Sequence, residues 1–201
     1  MKTIWTLLLT LAVALTARAG EGYKVGDKAR SFTLKNVDGK MVSLEGAAGA
    51  KGAIVVFTCN HCPFSKLYED RILALQAQFG PKGYPVVAIN PNDPKKQPED
   101  AYPEMQVRAK EKGFTFPYLW DETQQIAKAY GAARTPHVYI LTKQGDGFTV
   151  SYIGAIDDNA NEPAGVKTKY VEQAIGNLLA GKPADPASTK AIGCTIKWRE
   201  I

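Results

Sequence analysis

Apolar positions along the chain recur in two rhythms. Ala53-Ile54-Val55-Val56-Phe57 and Val86-Val87-Ala88-Ile89 are unbroken apolar runs, rich in β-branched residues, which predict strands buried on both faces of a sheet. Between them Phe64, Tyr68, Ile72, Leu75 and Phe79 recur at helical spacing. Pro63 suits the first turn of that helix, and Gly80-Pro81 stops it. Downstream, residues 99–112 read as a helix closed by Gly113, 116–119 as a short strand and 122–130 as a short helix ended by Gly131. Val138–Leu141 and Thr149–Ile153 flank Gly145-Asp146-Gly147 as a hairpin, and 167–179 form a last helix before Gly181. Near the start, Phe32-Thr33-Leu34 and Met41-Val42-Ser43-Leu44 flank an Asp38-Gly39 turn as another hairpin. Residues 46–52, rich in glycine and alanine, and the proline-bearing 90–98 read as loops, the second of them exposed. Strands alternating with helices, closed by a hairpin and a helix, predict an α/β domain with a mixed sheet.

The first residues follow a different logic. Met1-Lys2 gives a positive start, Ile4–Thr16 is an apolar run without acids, and Ala17-Arg18-Ala19 has the small-x-small pattern of a cleavage site. That layout predicts a secretory signal peptide over 1–19, its apolar run too short to span a membrane. Residues 20–182 then make one domain, with 183–201 a tail packing on it, and the mature chain carries no span. Removing Lys2 and Arg18 leaves 23 basic against 20 acidic residues. So mild an excess, spread along the chain, gives no basis for nucleic-acid binding.

Three cysteines are too few, and the wrong number, for a disulfide scaffold in an exported protein. Two of them lie three apart in Cys59-Asn60-His61-Cys62, between a buried strand and a helix start. Unpaired N–H groups and the positive end of the helix dipole stabilise a thiolate there. The spacing lets the sulfurs bond to each other. Cys59, the more exposed in this reading, would attack a partner disulfide, and Cys62 would release the mixed disulfide. A zinc site would want a second C-x-x-C, which is absent. No metal or other cofactor is expected. His61, when protonated, would favour the reduced form and place the potential between about −230 and −120 mV.

Val25-Gly26-Asp27-Lys28-Ala29, Phe57-Thr58-Cys59-Asn60-His61-Cys62-Pro63 and Arg134-Thr135-Pro136-His137 together resemble the thioredoxin-like superfamily. The similarity is to its exported, peroxiredoxin-like branch, the alkyl hydroperoxide reductase/thiol-specific antioxidant (redoxin) family, over roughly residues 25 to 180. The resemblance implies a thioredoxin-like fold, a central mixed β-sheet flanked by helices with an N-terminal β-hairpin extension. It also implies a cis Pro136 beside the dithiol, with Thr135 before it offering its backbone to a substrate chain as to an added strand. Cys59, Cys62, His61, Thr135 and Pro136 are then the candidate catalytic residues. The strongly oxidising disulfide-introducing proteins of the bacterial periplasm resemble this chain at His61.

The chain departs from the peroxiredoxin pattern Pro-x-x-x-Thr-x-x-Cys. Cys62-Pro63 matches its end, but Cys59 stands at the threonine position and Val55 at the proline. It lacks thioredoxin's buried acid on the strand before the dithiol, so Cys62 must lose its proton another way. Three functions follow: a periplasmic thiol–disulfide oxidoreductase acting on protein thiols and disulfides with a separate redox partner, a thiol peroxidase, or a Cu(I) delivery protein using Cys59, Cys62 and His137. His137 is otherwise a structural histidine. Cys194 is either a small residue packed beside Ile192, Ile196 and Trp198 or a third redox cysteine on a tail folded toward the dithiol. Asp157-Asp158-Asn159 reads as a turn.

Overall fold

The computed structural model describes residues 22–200. The signal-peptide segment and its cleavage site lie outside these residues. An eight-stranded mixed sheet has the order β1-β9-β8-β4-β5-β6-β2-β3. Its strands are β1 (Lys28–Ala29), β2 (Thr33–Asn36), β3 (Met41–Ser43), β4 (Gly52–Phe57), β5 (Val86–Asn90), β6 (Tyr118–Trp120), β8 (His137–Gln144) and β9 (Gly147–Gly154). A separate two-stranded ribbon joins β7 (Arg134–Thr135) to β10 (Cys194–Thr195). Strands β4, β5 and β6 run parallel at the centre, and β8 pairs antiparallel with β4 from Gly52↔Thr142 to Phe57↔His137. This is a thioredoxin-like fold.

The unbroken apolar runs are unbroken because both faces of the sheet are covered. Ile54 and Val56 of β4 point into one core with Tyr68, Ile72 and Leu75 of α2 (Pro63–Phe79), Met105 of α3 (Tyr102–Lys112), and Val171 and Ile175 of α5 (Tyr170–Leu179). Ala53, Val55 and Phe57 point into the other, with Ile126 and Tyr130 of α4 (Gln125–Tyr130), Tyr139 and Ile196. Every residue of β4 is buried. At roughly 2 kcal/mol per fully buried large aliphatic side chain, this strand is a principal contributor to stability. Its C-terminal end, where the dithiol follows, is therefore fixed.

Several boundaries differ from expectation for local reasons. Ser43 caps a short helix α1 (Leu44–Ala47) through its Oγ, 3.0 Å from the Gly46 N–H; the helix takes Leu44 from the expected strand and runs into the expected 46–52 loop. Residues 99–112 divide into a 3-10 turn, Pro98–Asp100, and α3, because Ala101 is extended and Pro103 sits in the first turn of α3. The 90–98 loop is exposed only in part. Asn90, the last residue of β5, is buried, and so are Asn92 and Asp93, which the C-terminal tail crosses. Asp157 is buried too, accepting from Tyr68 Oη at 2.7 Å and Arg71 Nη1 at 2.6 Å.

Candidate redox site

Strand β4 ends at Phe57, and the chain turns through Thr58–His61 into α2. Cys62 is the extended N-cap residue (φ −62°, ψ 122°) and Pro63 opens the first turn. The expected strand–dithiol–helix placement is therefore observed. The Thr135–Pro136 peptide is cis, as the resemblance implied, and it brings Thr135 against both sulfurs. Cys62 Sγ donates to the Thr135 carbonyl at 3.1 Å, and Cys59 Sγ lies 3.2 Å from Thr135 Oγ1.

Both cysteines are buried, and Cys59, at 3% exposure against 0% for Cys62, is the more exposed of the two, as expected. Burial pushes the Cys59 thiol far up, and its hydrogen bond to Cys62 and the nearby Asp100 charge push the same way. The Cys194 thiol and the N–H groups of Ser65 and Cys194 face Cys62 and favour its thiolate against burial. The two hydrogen-bonded sulfurs share one proton and titrate as a pair, so the lowered pKa expected of Cys59 belongs to the couple at the helix start.

Asp100 organises the other side, and nothing in the sequence around it announced this. It is fully buried, and its two oxygens take four donors. Oδ1 accepts the Asn60 N–H at 2.6 Å and the His61 N–H at 3.1 Å. Oδ2 accepts Asn92 Nδ2 at 2.7 Å and pairs with His61 Nδ1 at 2.5 Å. Tyr118 Oη donates to Asn60 Oδ1 at 2.8 Å, fixing the intervening side chain. His61 Nδ1 lies 3.5 Å from Cys59 Sγ, so Cys59, His61 and Asp100 form a continuous chain of polar atoms. Their three ligand atoms lie within 4.8 Å of one another. Asp100 already spends four lone-pair directions on these donors, which makes the group a positioning network and a poor cation site. His137 stands outside this cluster. Its Nδ1 accepts the Ala133 N–H at 3.4 Å and its ring lies against Tyr139. Burial, with Arg134 nearby, lowers its pKa to about 4 and keeps it neutral.

A helix-start dithiol facing a cis-proline loop, on this sheet, defines a redox protein of the thioredoxin-like class. The chain belongs to the AhpC/TSA family, whose model matches residues 25–146. It is 27% identical over 153 residues to the thiol-disulfide oxidoreductase ResA of Geobacillus thermodenitrificans, covering 72% of this chain and 82% of that protein. A Mycobacterium tuberculosis protein provisionally named a peroxiredoxin is 29% identical over 120 residues, 60% of this chain and 71% of its own. Among solved structures, an uncharacterized conserved protein from Geobacillus kaustophilus is 40% identical with a TM-score of 0.81, covering 88% of this chain and 93% of that one. The chain is a redox enzyme of the thioredoxin-like type. Among the described residues no helix is long and apolar enough to cross a membrane.

Proposed function

We propose that this protein is an exported, periplasmic thiol–disulfide oxidoreductase that exchanges disulfides with protein thiols through Cys59 and Cys62. The observation that carries the reading is the Cys59–Cys62 pair at the helix start, both sulfurs set against Thr135 of the cis-proline loop. The ResA relative supports the same reaction class. The thiolate of the pair, on Cys59 as the more exposed sulfur, attacks one sulfur of a partner disulfide, and the other partner sulfur leaves as a thiolate. Cys62 then loses its proton and attacks Cys59, closing the Cys59–Cys62 bond and releasing the second partner sulfur. The reverse sequence oxidises a partner. Pro136 removes an N–H beside the sulfurs, Thr135 offers its backbone to the partner chain, and His61, joined to Asp100, stands 3.5 Å from Cys59 Sγ.

The peroxidase reading lacks the threonine hydroxyl at position 59 that would help position a peroxide. The copper reading loses His137, which stands apart from the ligand cluster. Stopped-flow oxidation of the reduced protein decides between the first two. Rapid exchange with a disulfide-bonded protein and slow reaction with hydrogen peroxide are expected; fast peroxide oxidation without protein exchange would overturn the proposal. Export is tested separately, by a mature N-terminus at Gly20 in periplasmic protein.

A further inference from the structure

The edge that would receive a partner chain is occupied. Strand β10 pairs antiparallel with β7, Cys194 opposite Thr135 and Thr195 opposite Arg134. Thr135 therefore touches all three cysteines: its carbonyl accepts from Cys62, its hydroxyl meets Cys59, and its backbone pairs with Cys194. The tail is seated deliberately. Arg134 Nη1 donates to the Gly193 carbonyl at 2.8 Å, and a Cβ on Gly193 would come within 2.1 Å of the Thr135 carbonyl oxygen. Only glycine permits so close an approach. Beyond the strand, Gln124 clamps the tail, its Nε2 donating to the Lys197 carbonyl at 2.8 Å and its Oε1 accepting the Arg199 N–H at 2.7 Å. The tail thus lies where an added substrate strand would lie, with a cysteine in register with the site.

We propose that residues 193–195 are a built-in substrate strand and that Cys194 is a third redox thiol, which takes over the disulfide from Cys59 as Cys62–Cys194. This rests on the oxidoreductase reading and extends it. In the oxidised protein Cys194 gives up its proton and its thiolate attacks Cys62. The Cys62–Cys194 bond forms as Cys59–Cys62 breaks, and Cys59 leaves as a thiolate and takes up a proton. One thiol and one disulfide stand on each side, so no external oxidant is needed. In the reduced protein burial and the hydrogen bond and charge of the neighbouring Cys62 hold Cys194 up at about 11; once Cys62 is in a disulfide its charge is gone and Cys194 ionises more readily. The exchange carries the disulfide from the buried pair to a half-buried strand, within closer reach of a partner thiol.

The test is disulfide mapping. Full-length mature protein is equilibrated with oxidised and reduced glutathione, acid-quenched, alkylated and digested with trypsin. Cys59 and Cys62 share the 52–66 peptide and Cys194 lies in 191–197, so a linked pair of these peptides is diagnostic. The wild type should show that link beside the internal 52–66 disulfide. Cys59→Ser should convert almost wholly to the link, which assigns it to Cys62. Gly193→Val, which keeps all three cysteines, should reduce the link at least tenfold and spare the internal disulfide. An internal disulfide with no link in the wild type, or a link untouched by Gly193→Val, would overturn the third-thiol proposal alone. Absence of the internal disulfide at every glutathione ratio would instead overturn the oxidoreductase reading.

Discussion

The two sides of the dithiol are built from different materials. On the Asp100 side a buried carboxylate takes four donors from Asn60, His61 and Asn92, and every contact involves a side chain that has no water to fall back on. On the tail side the sulfurs meet a two-residue strand, held by backbone pairing and one arginine, with Cys194 half-buried. Undoing the first leaves buried donors orphaned, whereas undoing the second returns backbone groups to solvent. The molecule therefore has a fixed wall that positions Cys59 and His61 and a removable wall that covers Cys62. Asn92 joins them, donating to Asp100 while its Oδ1 accepts the Lys197 N–H at 2.9 Å.

The comparison breaks first at Cys59. Cys59→Ser removes the attacking sulfur, and disulfide exchange should fall to the uncatalysed background. Retention of most of the activity in that variant would move the attacking role to Cys62. The next effect concerns the fixed wall. Asp100→Ala leaves four buried donors unpaired and should cost about 3 kcal/mol or more in urea unfolding. A loss below about 1 kcal/mol would show that this wall is no firmer than the tail.

A third, smaller effect is a pH dependence. His137 stays neutral down to about 4 in the folded protein, while the unfolded chain takes up the proton near the ordinary 6.5. Between these values the unfolded state binds more protons, so stability falls as pH falls, by at most about 1.4 kcal/mol per pH unit. His137→Gln should flatten that slope in melts from pH 6.5 to 4. An unchanged slope would place the acid sensitivity elsewhere.

Much of the frame was legible in the sequence because it is written locally. Ala53–Phe57 is buried on both faces, so its apolar run needs no context, and the helical spacing from Phe64 to Phe79 follows from one buried face of α2. The dithiol and Thr135-Pro136 were legible as motifs. The parts that were not depend on distant chain segments. Asp100 lies 39 residues beyond His61 and carries no signature of burial in its neighbours. The exposure assigned to Asn92 and Asp93 failed because a tail about 105 residues away covers them. The same tail reaches the sulfurs: Cys194 faces Cys62 while Asp100 lies near Cys59, which no C-x-x-C spacing reveals. Cys194 itself was legible only as two alternatives, and the β10–β7 register places it beside the dithiol.

The most direct test of the central claim is the midpoint potential of the Cys59–Cys62 couple in a Cys194→Ser background, titrated against glutathione and read by alkylation. A proton-sharing sulfur pair at a helix start stabilises the reduced form, so one two-electron transition between about −230 and −120 mV is expected. A midpoint at or below about −270 mV, or no disulfide between these two cysteines at any poise, would contradict the account.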